Sequence, residues 1–210
     1  MEDGRIRVSR RDVLRGAGAA ALVGAVARGQ EPAAAEGLVR MGPDAVPVRL
    51  TLNGAARDVS VEPRVTLLDA LRERLDLTGT KRICDHGACG GCTVLLDGKP
   101  VNSCLVLAVD AAGREVLTIE GLARGDALHP VQAAFVKHDA AMCGFCTPGM
   151  VMSCAALLDA TKNPTEEEIR HALAGNLCRC GTYPHIFAAV REAGGAQGAG
   201  GAGGAGEGAR

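Results

Sequence analysis

The stretch Cys84-Asp85-His86-Gly87-Ala88-Cys89-Gly90-Gly91-Cys92, followed by Cys104, constrains this chain more than any other. Its spacing, C-x4-C-x2-C-x11-C, is the plant-type arrangement for a 2Fe–2S cluster, with three thiolates on one loop and a fourth from farther along. Gly87, Gly90 and Gly91 let the backbone curl and take positive φ without a Cβ penalty. A loop curled in this way aims successive N–H groups inward, a nest suited to a negatively charged group. A zinc knuckle and a disulfide-bonded loop are the competing readings. Zinc loops more often carry paired C-x2-C units, and a four-residue gap followed by a two-residue gap is unusual for them.

Four more cysteines form a second set, Cys143-Gly144-Phe145-Cys146 and Cys178-Arg179-Cys180. Each pair lies just before a helix start, Thr147-Pro148 after the first and Thr182-Tyr183-Pro184 after the second. Helix N-termini offer free N–H groups and partial positive charge, which favour an anion such as a thiolate-bound 2Fe–2S cluster. Zinc also accepts four cysteines and stays open as the alternative metal. Cys154 is left over inside an apolar helical run and reads as a small core residue. The histidines show no ligand spacing. His86 lies within the first loop, but four cysteines already complete that site, and His129, His138, His171 and His185 read as structural or solvated. No Ser–His–Asp set, paired catalytic acids or P-loop is present.

The chain has 210 residues, room for one or two domains. Its formal net charge of −1 argues against a nucleic-acid partner. Aromatics are so few that the core must rest on Leu, Val and Ala. Residues 1–27 read as a twin-arginine signal: Ser9-Arg10-Arg11-Asp12 precedes a Gly/Ala-rich apolar run from Gly16 to Ala27, with small-residue cleavage sites at 25–27 and 33–35. That run is too short and too weakly apolar to span a membrane. The signal predicts a periplasmic protein. Nine cysteines in an exported chain suggest disulfides, but the odd count leaves one unpaired. The twin-arginine route carries folded, cofactor-loaded proteins, so export and metal-bound thiols are compatible.

Residues 28–46 form a linker. From Pro47, alternation at Val48, Leu50 and Leu52, the Asn53-Gly54 turn, and Val59 and Val61 predict a hairpin. Thr66 caps a helix over 67–74. A second hairpin, 93–101, brings Cys104 back to the cluster loop, and 116–119 is a last strand. Residues 47–123 thus read as a ferredoxin-like α+β domain of β-grasp type. Strand signals then vanish. Helices are predicted over 130–138, from Thr147-Pro148 to about 160, from the capping box Thr165–Glu168 to Gly175-Asn176, and from Pro184 to about 193. Residues 128–193 therefore read as an all-α four-helix bundle. Residues 194–210 are a Gly/Ala tail expected to be disordered.

Three stretches, 78–94, 143–150 and 175–183, together resemble the small iron–sulfur subunit of the molybdenum hydroxylases, the family of xanthine dehydrogenase, aldehyde oxidoreductase and aerobic carbon monoxide dehydrogenase. The resemblance covers about residues 47–193. It implies two 2Fe–2S clusters, one on Cys84, Cys89, Cys92 and Cys104 and one on Cys143, Cys146, Cys178 and Cys180. It implies an electron-transfer subunit, not catalytic alone, whose partner is a large molybdopterin-binding subunit that oxidises aldehydes or N-heterocycles. Cys180 would face the pterin, and electrons would leave through the ferredoxin-type cluster to an FAD subunit or a cytochrome. The signal and the Cys84-Asp85-His86-Gly87 run look most like the exported aldehyde-oxidising branch. Met142 stands where the family often has Gln against the pterin, and Met cannot make the same hydrogen bonds. The rival readings are a stand-alone two-cluster ferredoxin and a zinc-stabilised interaction module.

Overall fold

The computed structural model describes residues 41–195. The expected signal, most of the linker and the Gly/Ala tail beyond 195 lie outside the described residues.

Strands β1 (Val46–Leu52) and β2 (Ala55–Val61) form an antiparallel hairpin around Asn53-Gly54, both of which take positive φ. Only inward-facing positions of β1 are buried, Val48, Leu50 and Leu52, as its alternation predicts. Thr66 accepts a hydrogen bond from the Asp69 N–H and caps helix α1 (Leu67–Asp69), which continues as a π-helical turn over Ala70–Arg74. The sequence predicts one regular helix there; the widened turn is a departure. Strands β3 (Thr93–Leu96) and β4 (Lys99–Asn102) pair antiparallel, and β5 (Glu115–Leu117) completes a sheet of order β2-β1-β5-β3-β4. β5 runs parallel to β1 and antiparallel to β3. It ends earlier than expected, because the chain turns into a 3₁₀ turn at Ile119–Gly121. Five mixed strands with α1 packed on one face are the expected β-grasp.

Four helices follow: α2 (Pro130–Lys137), α3 (Thr147–Ala160), α4 (Glu166–Ala172) and α5 (Tyr183–Ala193). α3 is the central one, with Met150, Val151, Met152, Cys154, Ala155 and Leu158 all buried. Strand β3 joins the two halves. Successive strand residues face opposite ways, so Val94 and Leu96 enter the sheet core with Leu50, Leu71 and Val116, while Leu95 enters the helical core with Met150, Ile186 and Val190. All four β3 residues are buried for this reason. Both cysteine sets therefore sit on one continuous packed body.

Candidate metal centres

The first cysteine loop hangs between α1 and β3. Gly87 and Gly90 take positive φ, as expected; Gly91 does not, but a side chain there would strike Ile83. Asp85 also takes positive φ, a conformation Asp tolerates better than most residues. The β3–β4 hairpin carries Cys104, in a 3₁₀ turn over Ser103–Leu105, back to Cys92. Ser103 fixes this return by donating from both its N–H and its hydroxyl to the Cys92 carbonyl, at 3.3 and 2.7 Å. The Cys92 and Cys104 sulfurs lie 3.3 Å apart, and Cys84 and Cys89 are within hydrogen-bonding reach of each other. The four thiols thus fall into two pairs. Backbone N–H groups converge on them: those of His86, Ala88 and Cys89 on the Cys84 sulfur, that of Gly91 on Cys89, and that of Gly87 on Cys104 at 3.2 Å. This is the nest predicted from the glycines.

The electrostatics of the loop favour bound cations. The His86 N–H, then the neighbouring Cys89 thiol, lower the Cys84 thiol to about 6. Burial, with the Cys92 thiol beside it, pushes Cys104 up to about 12. A buried thiolate is expensive without a counter-charge, and iron or another metal would supply one.

The second set draws on two segments. Cys143 and Cys146 come from the turn that enters α3, and Cys178 and Cys180 from the turn that enters α5. These thiols also pair, with the Cys143 and Cys180 sulfurs 3.5 Å apart and Cys146 beside Cys178. Cys143 and Cys180 are exposed, while Cys146 and Cys178 are half-buried. Cys146 itself is the N-cap of α3, one residue earlier than the Thr147 expected. The helices differ in a telling way. α2 and α4 begin with side-chain capping boxes, from His129 and Thr165, whereas α3 and α5 have no side-chain cap. The two helices that open at cysteines place no side-chain cap on their first turns, although the Thr147 N–H turns back to the Gly144 carbonyl at 3.3 Å, and the positive end of a helix favours an anion. Burial opposes ionisation of Cys178, but hydrogen bonds from Thr182 and the Gly181 N–H outweigh it and bring the thiol to about 7. Burial carries Cys146 to about 12.

The donor sets fit two dinuclear iron–sulfur groups. In a 2Fe–2S cluster the bridging sulfides fill half of each iron's coordination, so each iron takes two cysteines. Pairs are what the chain presents: Cys84 with Cys89, Cys92 with Cys104, Cys143 with Cys180, and Cys146 with Cys178. Cys154 stands apart in the α3 core, where burial pushes it to about 12. Sequence reasoning missed how the two loops meet. The buried Asn176 side chain donates to the Gly90 carbonyl, the Leu177 N–H donates to the Cys89 carbonyl at 2.9 Å, and Gly149 of α3 lies against Gly90. Leu177 precedes Cys178, so a hydrogen bond and a few covalent bonds connect one set to the other. A buried Asn two residues before a cysteine was the available signal.

Comparison with known proteins agrees with this arrangement. The 2Fe-2S iron-sulfur cluster binding domain matches residues 50–118, and the [2Fe-2S] binding domain matches residues 118–191. The aldehyde oxidoreductase iron-sulfur-binding subunit PaoA of Escherichia coli K12 is 43% identical over 205 residues, covering 90% of each chain. The nicotine 6-hydroxylase small subunit of Paenarthrobacter nicotinovorans is 50% identical over 152 residues, covering 72% of this chain and 92% of the relative. The crystal structure of quinoline 2-oxidoreductase from Pseudomonas putida 86 superimposes with a TM-score of 0.71 at 44% identity, covering 73% of this chain and 96% of that one.

Proposed function

Since the chain belongs to the iron–sulfur subunits of the molybdenum hydroxylases, we propose that Cys84, Cys89, Cys92 and Cys104 hold one 2Fe–2S cluster and Cys143, Cys146, Cys178 and Cys180 the other, in a relay from a molybdopterin subunit outward. A 2Fe–2S cluster supplies a one-electron acceptor, so two of them divide a two-electron oxidation into single steps. The chain's own residues do the rest. Backbone N–H groups of the first loop and the uncapped starts of α3 and α5 offset thiolate charge. The Leu177–Cys89 hydrogen bond ties the two loops together.

The observation that carries the reading is the exposed thiol edge of the helical set. Cys143 and Cys180 reach the surface beside the exposed apolar side chains Met142 and Phe145. Next to them a groove of about 540 Å³ is lined by Leu128, Phe135, Val136, Pro148 and Val151. Apolar surface around a redox site suits a protein partner, so this face docks the large molybdopterin subunit, with Cys180 towards the pterin. Met142, which is 70% exposed, offers packing there in place of Gln hydrogen bonds. The first loop is then the exit, to an FAD subunit or a cytochrome.

Aldehydes are the favoured substrate class of the complex. The similarity to the aldehyde oxidoreductase subunit covers 90% of the chain, whereas the nicotine 6-hydroxylase subunit matches 72%. N-heterocycles are the second reading, favoured by the quinoline and nicotine enzymes. The Arg10-Arg11 signal directs the loaded subunit to the periplasm. No helix among the described residues is long and apolar enough to cross a membrane. Co-expression with the molybdopterin subunit tests the proposal. The two chains are expected to co-purify, and an anaerobic aldehyde should bleach the visible iron–sulfur absorption of the complex but not of this chain alone. A chain that purifies alone under those conditions, or a complex that aldehydes and N-heterocycles both fail to bleach, contradicts it.

A further inference from the structure

A helical-domain side chain grips the loop that carries the ferredoxin-domain cysteines. Asn176 is 6% exposed and has every side-chain polar group engaged. Its Oδ1 accepts from the Ser153 hydroxyl at 2.9 Å. Its Nδ2 donates to the Gly90 carbonyl at 3.0 Å and to Thr93 Oγ1 at 3.3 Å. These contacts fix the amide's orientation, because a carbonyl can only accept. Thr93 adds its own N–H and hydroxyl to the same carbonyl, at 3.1 and 2.7 Å. There is no room for slippage: a Cβ on Gly90 would lie 2.5 Å from both Asn176 Nδ2 and the Gly175 carbonyl.

The consequence lies on the other side of the same peptide. A trans peptide is planar, with its C=O and N–H pointing in opposite directions. Holding the Gly90 carbonyl towards Asn176 and Thr93 turns the Gly91 N–H the other way. Gly91 lies against the Cys89 sulfur, which would stand 3.8 Å from a Cβ built on it, and its N–H favours the thiolate form of Cys89. Flanking glycines have the softest backbone in the chain, so nothing intrinsic to Gly90-Gly91 selects this orientation. Hydrogen bonds to cluster sulfurs set the reduction potential, because they stabilise the more negative reduced state.

We propose that Asn176 is a positioning residue for the ferredoxin-domain cluster, holding the Gly90–Gly91 peptide so that its N–H stays on Cys89 and keeps that cluster's potential high. A residue of the helical domain thereby sets the potential of the neighbouring domain's site. The effect is local, since the Cys178 thiol takes its own hydrogen bonds from Thr182 and Gly181 instead.

This inference rests on both cysteine sets holding 2Fe–2S clusters. The test is a redox titration of the intact complex followed by electron paramagnetic resonance, with the ferredoxin-domain signal assigned by its loss in Cys104→Ala. Asn176→Ala is expected to lower that cluster's midpoint and leave the helical-domain midpoint in place, at unchanged iron content. Asn176→Asp should lower it further, because a carboxylate faces the Gly90 carbonyl. A residue with a merely structural role would lower thermal stability without moving one midpoint selectively. Unmoved midpoints in iron-replete Asn176→Ala overturn the proposal, as does a shift confined to the helical-domain cluster. If the Asn176 variants lose iron, Thr93→Val decides, since it loosens the same carbonyl from the other side: a lowered ferredoxin-domain midpoint supports the proposal and an unmoved one overturns it. A wild-type complex without two signals refutes the cluster assignment itself, a separate result.

Discussion

Gly149→Ala asks whether the two halves of the protein are locked through backbone contact. Gly149 sits in the first turn of α3, where a Cβ would lie 2.1 Å from the Gly90 carbonyl oxygen and 3.2 Å from the Gly91 Cα. A relaxed C···O contact is about 3.3 Å, so α3 and the cysteine loop must separate by roughly 1 Å. Overpacking of this kind costs about 1–3 kcal/mol. The separation also stretches the Asn176–Gly90 and Leu177–Cys89 hydrogen bonds, each contributing about 1 kcal/mol. Alanine's helix propensity returns up to about 1 kcal/mol. The net loss is about 2–5 kcal/mol, or a drop in Tm of roughly 4–20 °C for a body of this size. Gly175→Ala is the control: nothing lies within 4 Å of its Cβ position and its φ is ordinary. It should stay within about 0.5 kcal/mol of wild type. Thermal melting of the full chain by circular dichroism, at one scan rate for all variants, reads both. Gly149→Ala melting at or above the wild-type temperature would refute the reasoning.

Other perturbations separate cluster-holding residues from bystanders. Cys154→Ala should keep wild-type iron content and both visible bands while losing about 1 kcal/mol of stability from the small cavity, since this buried thiol stands apart from both sets; loss of iron would overturn the ligand assignment. Hydrogen bonds from Lys137, then His138, hold the Glu192 carboxyl below its usual range. A depressed carboxyl stabilises the fold above its unfolded pKa and loses that contribution as pH falls through the folded value, so Glu192→Gln should flatten the fall in Tm below about pH 4.3. Replacing Arg10 and Arg11 by Lys should leave iron-loaded subunit in the cytoplasm, checked by cell fractionation; unchanged periplasmic recovery contradicts the export signal.

The sequence was most legible where side-chain chemistry repeats a fixed spacing. The cysteines announced both sets. The Asn53-Gly54 turn and the Thr165–Glu168 capping box predicted elements that the structure contains. Residues whose effect depends on what lies opposite were not legible. Gly149 reads as an ordinary glycine near a helix start until the Gly90 carbonyl is placed against it. Leu95 reads as one more strand hydrophobe, yet it faces the helical core while its neighbours face the sheet core. The parallel pairing of β5 with β1 is set by long-range topology, and no local pattern encodes it. The π-helical turn at Ala70–Arg74 was missed because helical periodicity does not distinguish one widened turn from a regular one. The sequence offers His129 as structural or solvated; it caps α2 by accepting from the Val131 N–H, a role that His seldom plays.

Metal analysis of the purified chain, paired with electron paramagnetic resonance of its dithionite-reduced form, tests the central claim most directly. Two 2Fe–2S sites predict about four irons per chain and two distinct rhombic signals. Zinc in place of iron, with no signal on reduction, would contradict the account.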